Sequence, residues 1–488
     1  MSSLSRKAYM RIYAMVAIEC LGAVQYGYHM AELNAPEAYI SCRALPPGEH
    51  ADVDCIPMTA EDIGSVTSLI SIGGLITALL AGNAAGILGR RKFSIITCIP
   101  FIIGSVLTGA ATKVWHMQIG RFISGLGAGA AIVVIPLYLS EIGPANLRGQ
   151  LGFMNQVSIN VGILIAQVLG IFFSTFARWR LILFFGAVLG LLYGSLLVSF
   201  LVETPKWYVS VGKYQLARTT LQFLRDSDNV DKEFNSLASI SKEEDTPVAT
   251  TEENRALLTA TESTPETSLI PASSTPVKSN NVSVHTFVFS KIYRKELIVV
   301  VGVLTAQQFC GINSIIFYGV SVLAKLFPEL TTTINCVISV LNTVVTMYSS
   351  TLVDKYGRKQ LLLCSISGMA VFSALLGFGI NNSHSILSAL SATLFVVFFA
   401  IGLGPVPFML VSELVPHNAV GAAQSVGTTA NWLSTFVIGY FFPILQAKLG
   451  GSTYYIFTFF CFASITFIWA LVPWSTVSIE DKPDETNE

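Results

Sequence analysis

Long apolar stretches recur along the chain, separated by short polar ones. They fall near residues 12–33, 63–88, 93–112, 117–140, 152–175 and 180–202, then 296–325, 331–353, 360–381, 388–412, 421–445 and 453–473. About 20 apolar residues cross the hydrocarbon core of a bilayer as a helix, and a helix satisfies its own backbone there. The pattern predicts an all-α membrane protein with twelve transmembrane helices in two six-helix bundles. The expected division is a first bundle at 1–202, a linker between helices 6 and 7 at 203–295, a second bundle at 296–474 and a short tail at 475–488. The linker is rich in Ser, Thr, Glu and Pro around "EEDTPVATTEENRALLTATESTPETS", a composition that buries too little apolar surface to fold. Its front, "KWYVSVGKYQLARTTLQFLR", keeps amphipathic spacing and is expected to form short helices at the membrane surface.

Composition excludes the alternatives. Of 488 residues, 52% are hydrophobic and 12% charged, whereas soluble domains carry about a quarter charged residues. The net charge of −1 gives no reason to expect nucleic acid. The first apolar run is too long for a cleaved signal peptide and reads as a retained span. Lys and Arg in "SLSRKAYMR", "GRRKF", "LRGQ" and "KYGRKQ" fall on one side, while loop 1 (35–62) is acidic. Both termini and the linker are therefore expected in the cytosol. No metal spacing, nucleophile triad or phosphate loop stands out, so no enzyme, metal or cofactor is expected.

The halves echo each other. "GILGRRK" follows span 2 and "DKYGRKQ" follows span 8, and the spacing from Arg90 to Glu141 resembles that from Arg358 to Glu413. Such a repeat suggests two bundles moving about a central site. Within the apolar runs, carboxamides are the unusual residues. Gln156, Asn160 and Gln167 lie four and then seven residues apart, on one helical face. On a straight helix Gln307, Gln308 and Asn313 would not share a face, but Gly311 can let the helix unwind so that they converge. An amide both donates and accepts, as a sugar hydroxyl does, and avoids the cost of a buried charge. The plainer reading is that each amide bonds a neighbouring helix for ~0.6 kcal/mol.

The motifs "GRRK", "GRFISGLGAGAAIVVIPLYLSEIGPANLRGQ", "VETPKW", "QQFCGIN", "YGRK", "GPVPF" and "NW" occur in this order. The chain thereby resembles the sugar porter branch of the major facilitator superfamily over nearly its whole length. "YGYHMAELNAP" with "INSIIFYG" looks most like its fungal, vacuole-associated members. The resemblance implies a hexose carrier working by alternating access, with Gln156, Gln307, Gln308, Asn313, Asn342 and Asn431 holding the sugar. It also implies a salt-bridge gate of Arg91, Glu141, Arg148 and Glu203 in the first half and Arg358 and Glu413 in the second. Departures matter. Ala400 stands where many glucose carriers have Glu, and Phe408 where they have Trp, so Phe408 can stack on a sugar but lacks the indole donor. Gly86, the loop "PHNAVGAAQ" and the end "VPWSTVSIED" also leave the family pattern.

In members that resemble proton symporters, an Asp follows "GY" in span 1 and pairs with an Arg at the position of Arg121. Here His29 takes that place, and an imidazole beside a guanidinium resists protonation. Passive facilitation is the favoured expectation. Glu19, His29 and Arg121 keep proton coupling open, since an intramembrane carboxylate is a functional candidate, and Glu32 lies one turn from His29. A sugar sensor and a trafficking protein are the other classes considered. "ENRALL", with Glu253, Leu257 and Leu258, resembles an adaptor-read signal for vacuolar sorting, so the vacuolar membrane is favoured over the plasma membrane. Cys42 and Cys55 share loop 1, where a disulfide is permitted. The other six cysteines read as small apolar residues, and the sequon at Asn281 lies in the linker. The expected partners are a sugar, the lipid bilayer and a sorting adaptor, around a monomer.

Overall fold

The computed structural model describes residues 5–45, 54–144, 147–244, 282–416 and 419–473, with backbone only at a few of them, Arg148 included. The described residues form helices and turns, without strands. Spans 1 to 6 are Arg6–Ala31, Ala60–Leu88, Arg90–Gly109, Val114–Ile142, Arg148–Phe173 and Trp179–Phe200. Span 7 consists of Arg294–Phe309 and Ile312–Leu323, span 8 is Thr331–Tyr356 and span 9 is Arg358–Asn381. Span 10 consists of Ser385–Ile401 and Val406–Leu414, span 11 is Val420–Leu449 and span 12 is Thr453–Leu471. Among the described residues, nine stretches are long and apolar enough to cross a membrane on their own terms. The last of these, Val420–Leu471, holds two helices, and the more polar Arg6–Ala31 and Thr331–Tyr356 complete the twelve.

Two spans are broken. In span 7 the helix stops at Cys310 and restarts after Gly311, whose φ of +97° is left-handed. Glycine adopts that conformation without a Cβ penalty. Span 10 reads as one apolar run in the sequence but unwinds over 402–405, between its two helices. Pro405 has no N–H to continue the ladder, and the freed carbonyls of Leu403 and Gly404 are taken by the side chain of Gln307.

Small residues bring the spans together. A Cβ on Gly73 or Gly125 would strike the backbone of the facing helix, so spans 2 and 4 meet at main-chain contact. The two bundles close on the face that carries loop 1. There Asn34 of the first bundle accepts from the Val320 N–H at 2.9 Å and donates to the Ile316 carbonyl at 2.9 Å. Ser321 of span 7 donates to Glu37 in the short loop-1 helix Glu37–Ile40. Burial raises the Glu37 carboxyl above its ordinary value, against the opposing pull of Ser321 and Arg43.

Loop 1 itself is pinned. Cys42 and Cys55 are joined by a disulfide, with Cα atoms 5.3 Å apart. Arg180 grips both carboxylate oxygens of Asp54 at 2.6 Å and holds its carboxyl below the usual range. On the opposite face the front of the linker forms the short helices Pro205–Ser210, Tyr214–Arg225 and Asp231–Glu244. They dock under the first bundle: Trp207 Nε1 donates to the Gly86 carbonyl at 2.8 Å, and Arg225 to the Ile142 carbonyl at 3.0 Å. Arg11 pairs with Asp226 at 3.1 Å. Glu253, Leu257, Leu258, Asn281 and the tail lie outside the described residues.

Candidate functional site

The break in span 7 has a direct consequence for its amides. Gln308 and Asn313 project in different directions on a continuous helix, but across the break Asn313 donates to Gln308 Oε1 at 2.6 Å. Gln308 in turn donates to Asn431 Oδ1 at 3.2 Å, and Asn431 donates to Gln307 Oε1 at 2.7 Å. Gln307 then donates to the Leu403 and Gly404 carbonyls, each at 2.9 Å. Spans 7, 10 and 11 are thus joined by one chain of carboxamides at the two unwound segments. Within that chain Gln307 has its donor and acceptor both in use, so its first role is to stabilise the open turn of span 10.

Gln156 and Asn342 lie in a second group, where spans 5 and 8 face each other across the bundles. Asn160 is also here, with Thr346 as its partner at 2.8 Å. Phe408 is half-buried and packs against an apolar cluster that includes Val300, Leu304 and Ala423. Ala400 is buried in span 10.

Spans 1 and 4 bury a charged group. Arg121 Nη1 donates to Glu32 Oε1 at 2.7 Å and to the His29 carbonyl at 2.6 Å. His29 Nδ1 lies 3.0 Å from the same Glu32 oxygen, and its Nε2 lies 3.1 Å from Gln25. Neither Glu32 nor Arg121 has any exposed side-chain surface. The carboxylate that the sequence lacks at position 29 is therefore supplied one turn later by Glu32. Glu32 Oε2 and Arg121 Nη2 have no hydrogen-bond partner among the described residues. Glu19 stands apart from this group: it is buried between spans 1 and 3, where Ser94 donates to it at 2.6 Å.

The charge clusters lie on the linker face. Glu141 is paired at 2.8 Å with Arg90, the arginine whose spacing to it repeats in the second half, and Arg91 of the expected gate lies elsewhere. Adjacent residues on a helix diverge by about 100°, and Arg91 points away to donate to the Val198 carbonyl at 2.8 Å. Glu203 accepts from the backbone N–H groups of Arg90 at 3.0 Å, Arg91 at 3.1 Å and Thr204 at 3.0 Å, which caps the start of span 3. Thr204 also donates to Glu141 at 2.6 Å. Arg358 and Glu413 form the corresponding pair at 2.9 Å in the second bundle. The side chain of Arg148 lies outside what the structure describes. Thr204 and Thr346 are the residues that sequence reading missed, and Arg90, singled out by its spacing to Glu141, was left out of the expected gate in favour of Arg91. Arg90 was visible as the other arginine of "GRRK", while the two threonines carried no signal of their own.

Comparison with known proteins agrees in extent with this architecture. A family model described as "Sugar (and other) transporter" matches residues 15–478. The "Probable metabolite transport protein YBR241C" of Saccharomyces cerevisiae is 36% identical over 469 residues, covering 93% of this chain and 91% of that protein. The "Vacuolar protein sorting-associated protein 73" of the same yeast is 32% identical over 474 residues, covering 94% and 93%. A solved structure of the xylose transporter XylE from E. coli, described as partially occluded and inward open, superimposes with a TM-score of 0.74. It is 22% identical and covers 97% of this chain and 100% of its own, which shows the shared fold.

Proposed function

The chain belongs to the sugar (and other) transporter family, and from that premise we propose that it is a membrane carrier moving a sugar, of the hexose class, by alternating access. The observation that carries the reading is the convergence of Gln308, Asn313 and Asn431 at the unwound turns of spans 7 and 10. The Asn313–Gln308 and Gln308–Asn431 bonds each join one side-chain amide to another, and a sugar hydroxyl can replace either partner because it donates and accepts in the same way. The expected test is uptake of labelled sugars by the purified protein in liposomes. Gln308→Ala should raise the half-saturating sugar concentration without impairing insertion; unchanged kinetics in that variant would remove Gln308 from the site.

The first reading of the energetics is passive facilitation, supported by His29 at the position where coupled members carry an acid. A second reading, proton coupling, is favoured by the Glu32–Arg121 pair at 2.7 Å. Protonating Glu32 would leave Arg121 buried and unpaired, a costly arrangement, so proton binding there would have to move spans 1 and 4. Uptake under an imposed pH gradient separates the two. Facilitation predicts no response to the gradient, whereas acceleration that is lost in Glu32→Gln would establish coupling.

The likeness to a yeast vacuolar sorting protein supports a vacuolar membrane, with the termini and linker in the cytosol and "ENRALL" as the address for a sorting adaptor. The carrier is read as a monomer. Replacing Leu257 and Leu258 by Ala should divert a fluorescently tagged protein to the plasma membrane; retention at the vacuole would discard that signal.

A further inference from the structure

Spans 5 and 8 belong to different bundles, and a group of polar side chains joins them. Gln156 and Asn160 lie four residues apart on one face of span 5. Asn342 and Thr346 lie four apart on the facing side of span 8. Asn160 is the hub: its Nδ2 donates to Thr346 Oγ1 at 2.8 Å, while its Oδ1 is approached by Asn342 Nδ2 at 3.4 Å and Gln156 Nε2 at 3.5 Å. Those last two distances are at the outer limit of a hydrogen bond. Asn160, Asn342 and Thr346 are only 2%, 4% and 1% exposed, and Asn342 Oδ1 has no hydrogen-bond partner among the described residues. The group therefore offers one unsatisfied buried acceptor beside a donor that holds a neutral hydroxyl. No charge is among these four side chains, so the ligand they fit is an uncharged polyol.

We propose that Asn160 is a specificity-determining residue of the sugar site, a role that rests on the carrier reading above. One sugar hydroxyl takes the place of Thr346 Oγ1, accepting from Asn160 Nδ2 and donating to Asn342 Oδ1. That exchange satisfies the orphaned acceptor and also releases a bond that ties the two bundles together. A sugar whose carbon at that point is deoxygenated, or bears its hydroxyl in the opposite configuration, gains neither contact.

The test is equilibrium binding to the full-length protein in detergent, with a panel of D-glucose, D-galactose, D-mannose, D-xylose and singly deoxygenated D-glucoses. In Asn160→Val, affinity for the preferred sugar should fall about tenfold, the loss expected of one buried neutral hydrogen bond. Discrimination against one deoxy position should fall with it. Thr346→Val should act in the opposite direction and tighten binding, because the bond that sugar must displace is gone. Should Asn160→Val fail to fold, Asn160→Ser, which shortens the reach, is expected to show the same order. Equal losses in the Asn160 and Thr346 variants across every sugar would make the pair an interhelical contact only and overturn the proposal. A wild-type protein that binds no sugar would defeat the carrier reading itself, and this one with it. Sugar binding with unaltered preference in the Asn160 variants would defeat this one alone.

Discussion

In the first bundle Arg90 and Glu141 meet at 2.8 Å with side chains 12% and 4% exposed, and in the second Arg358 and Glu413 meet at 2.9 Å with 27% and 25% exposed. The residue types repeat, but their surroundings do not. Glu141 also accepts from Thr204, whereas Glu413 Oε2 has no hydrogen-bond partner among the described residues. Both following helices begin at a left-handed glycine, Gly89 at φ +93° and Gly357 at φ +82°. Glu203 sits so close to Gly89 that a Cβ would collide with it, while around Gly357 there is open space. The linker supplies the rest of the difference, since Trp207 and its helix pack beneath the first cluster. The first cluster is thus fastened to the linker and the second stands as a bare pair at the surface. Of two sequence repeats, the one with more partners is the harder to open.

The sharpest way to break this contrast is to add one methyl group to each glycine. Positive-φ strain of ~1–3 kcal/mol falls on both variants, but Gly89→Ala must also displace Glu203 from three N–H groups. Thermal unfolding in detergent should show a much larger loss for Gly89→Ala than for Gly357→Ala, and equal losses would erase the distinction. Next in size is Glu203→Ala, which leaves those N–H groups uncapped and should cost ~1–3 kcal/mol. Comparing Glu141→Gln with Glu413→Gln probes the pairs themselves. The first should also cost on the order of 1–3 kcal/mol because its guanidinium partner is little exposed, the second only ~0–1 kcal/mol. The smallest effect is that of salt. At about 1 M ionic strength the Debye length is near 3 Å, so the cost of Glu413→Gln should vanish in unfolding scans while that of Glu141→Gln persists.

The helical architecture was legible because a bilayer demands long apolar runs, and those runs are hard to mistake. The convergence of the span 7 amides was legible from Gly311, whose freedom at positive φ is a local property. The unwinding of span 10 was not: Gly402 and Pro405 were visible, but hydrophobicity continues through them, and the partner that makes the break tolerable, Gln307, lies far away in sequence. Arg90 and Arg91 could not be told apart without the helical phase, which tertiary packing sets. The Glu32–Arg121 contact was half legible, since Glu32 was seen one turn from His29, but that one Glu32 oxygen meets both His29 and Arg121 depends on how span 1 is rotated against span 4.

Glu37 joins the short loop-1 helix to span 7, and its burial has a thermodynamic corollary. When the bundles part on that face the carboxyl regains water and its ordinary affinity for protons, about pKa 4.3 for a glutamate; when they close, the affinity rises. Closure on that face therefore takes up protons over the interval between the two values and is penalised above it. Acidifying the compartment that bathes loop 1 should drive the resting population toward the form open to the linker face. Labelling of a cysteine introduced on that face would register the shift, and a Glu37→Gln variant should label at one rate whatever the pH.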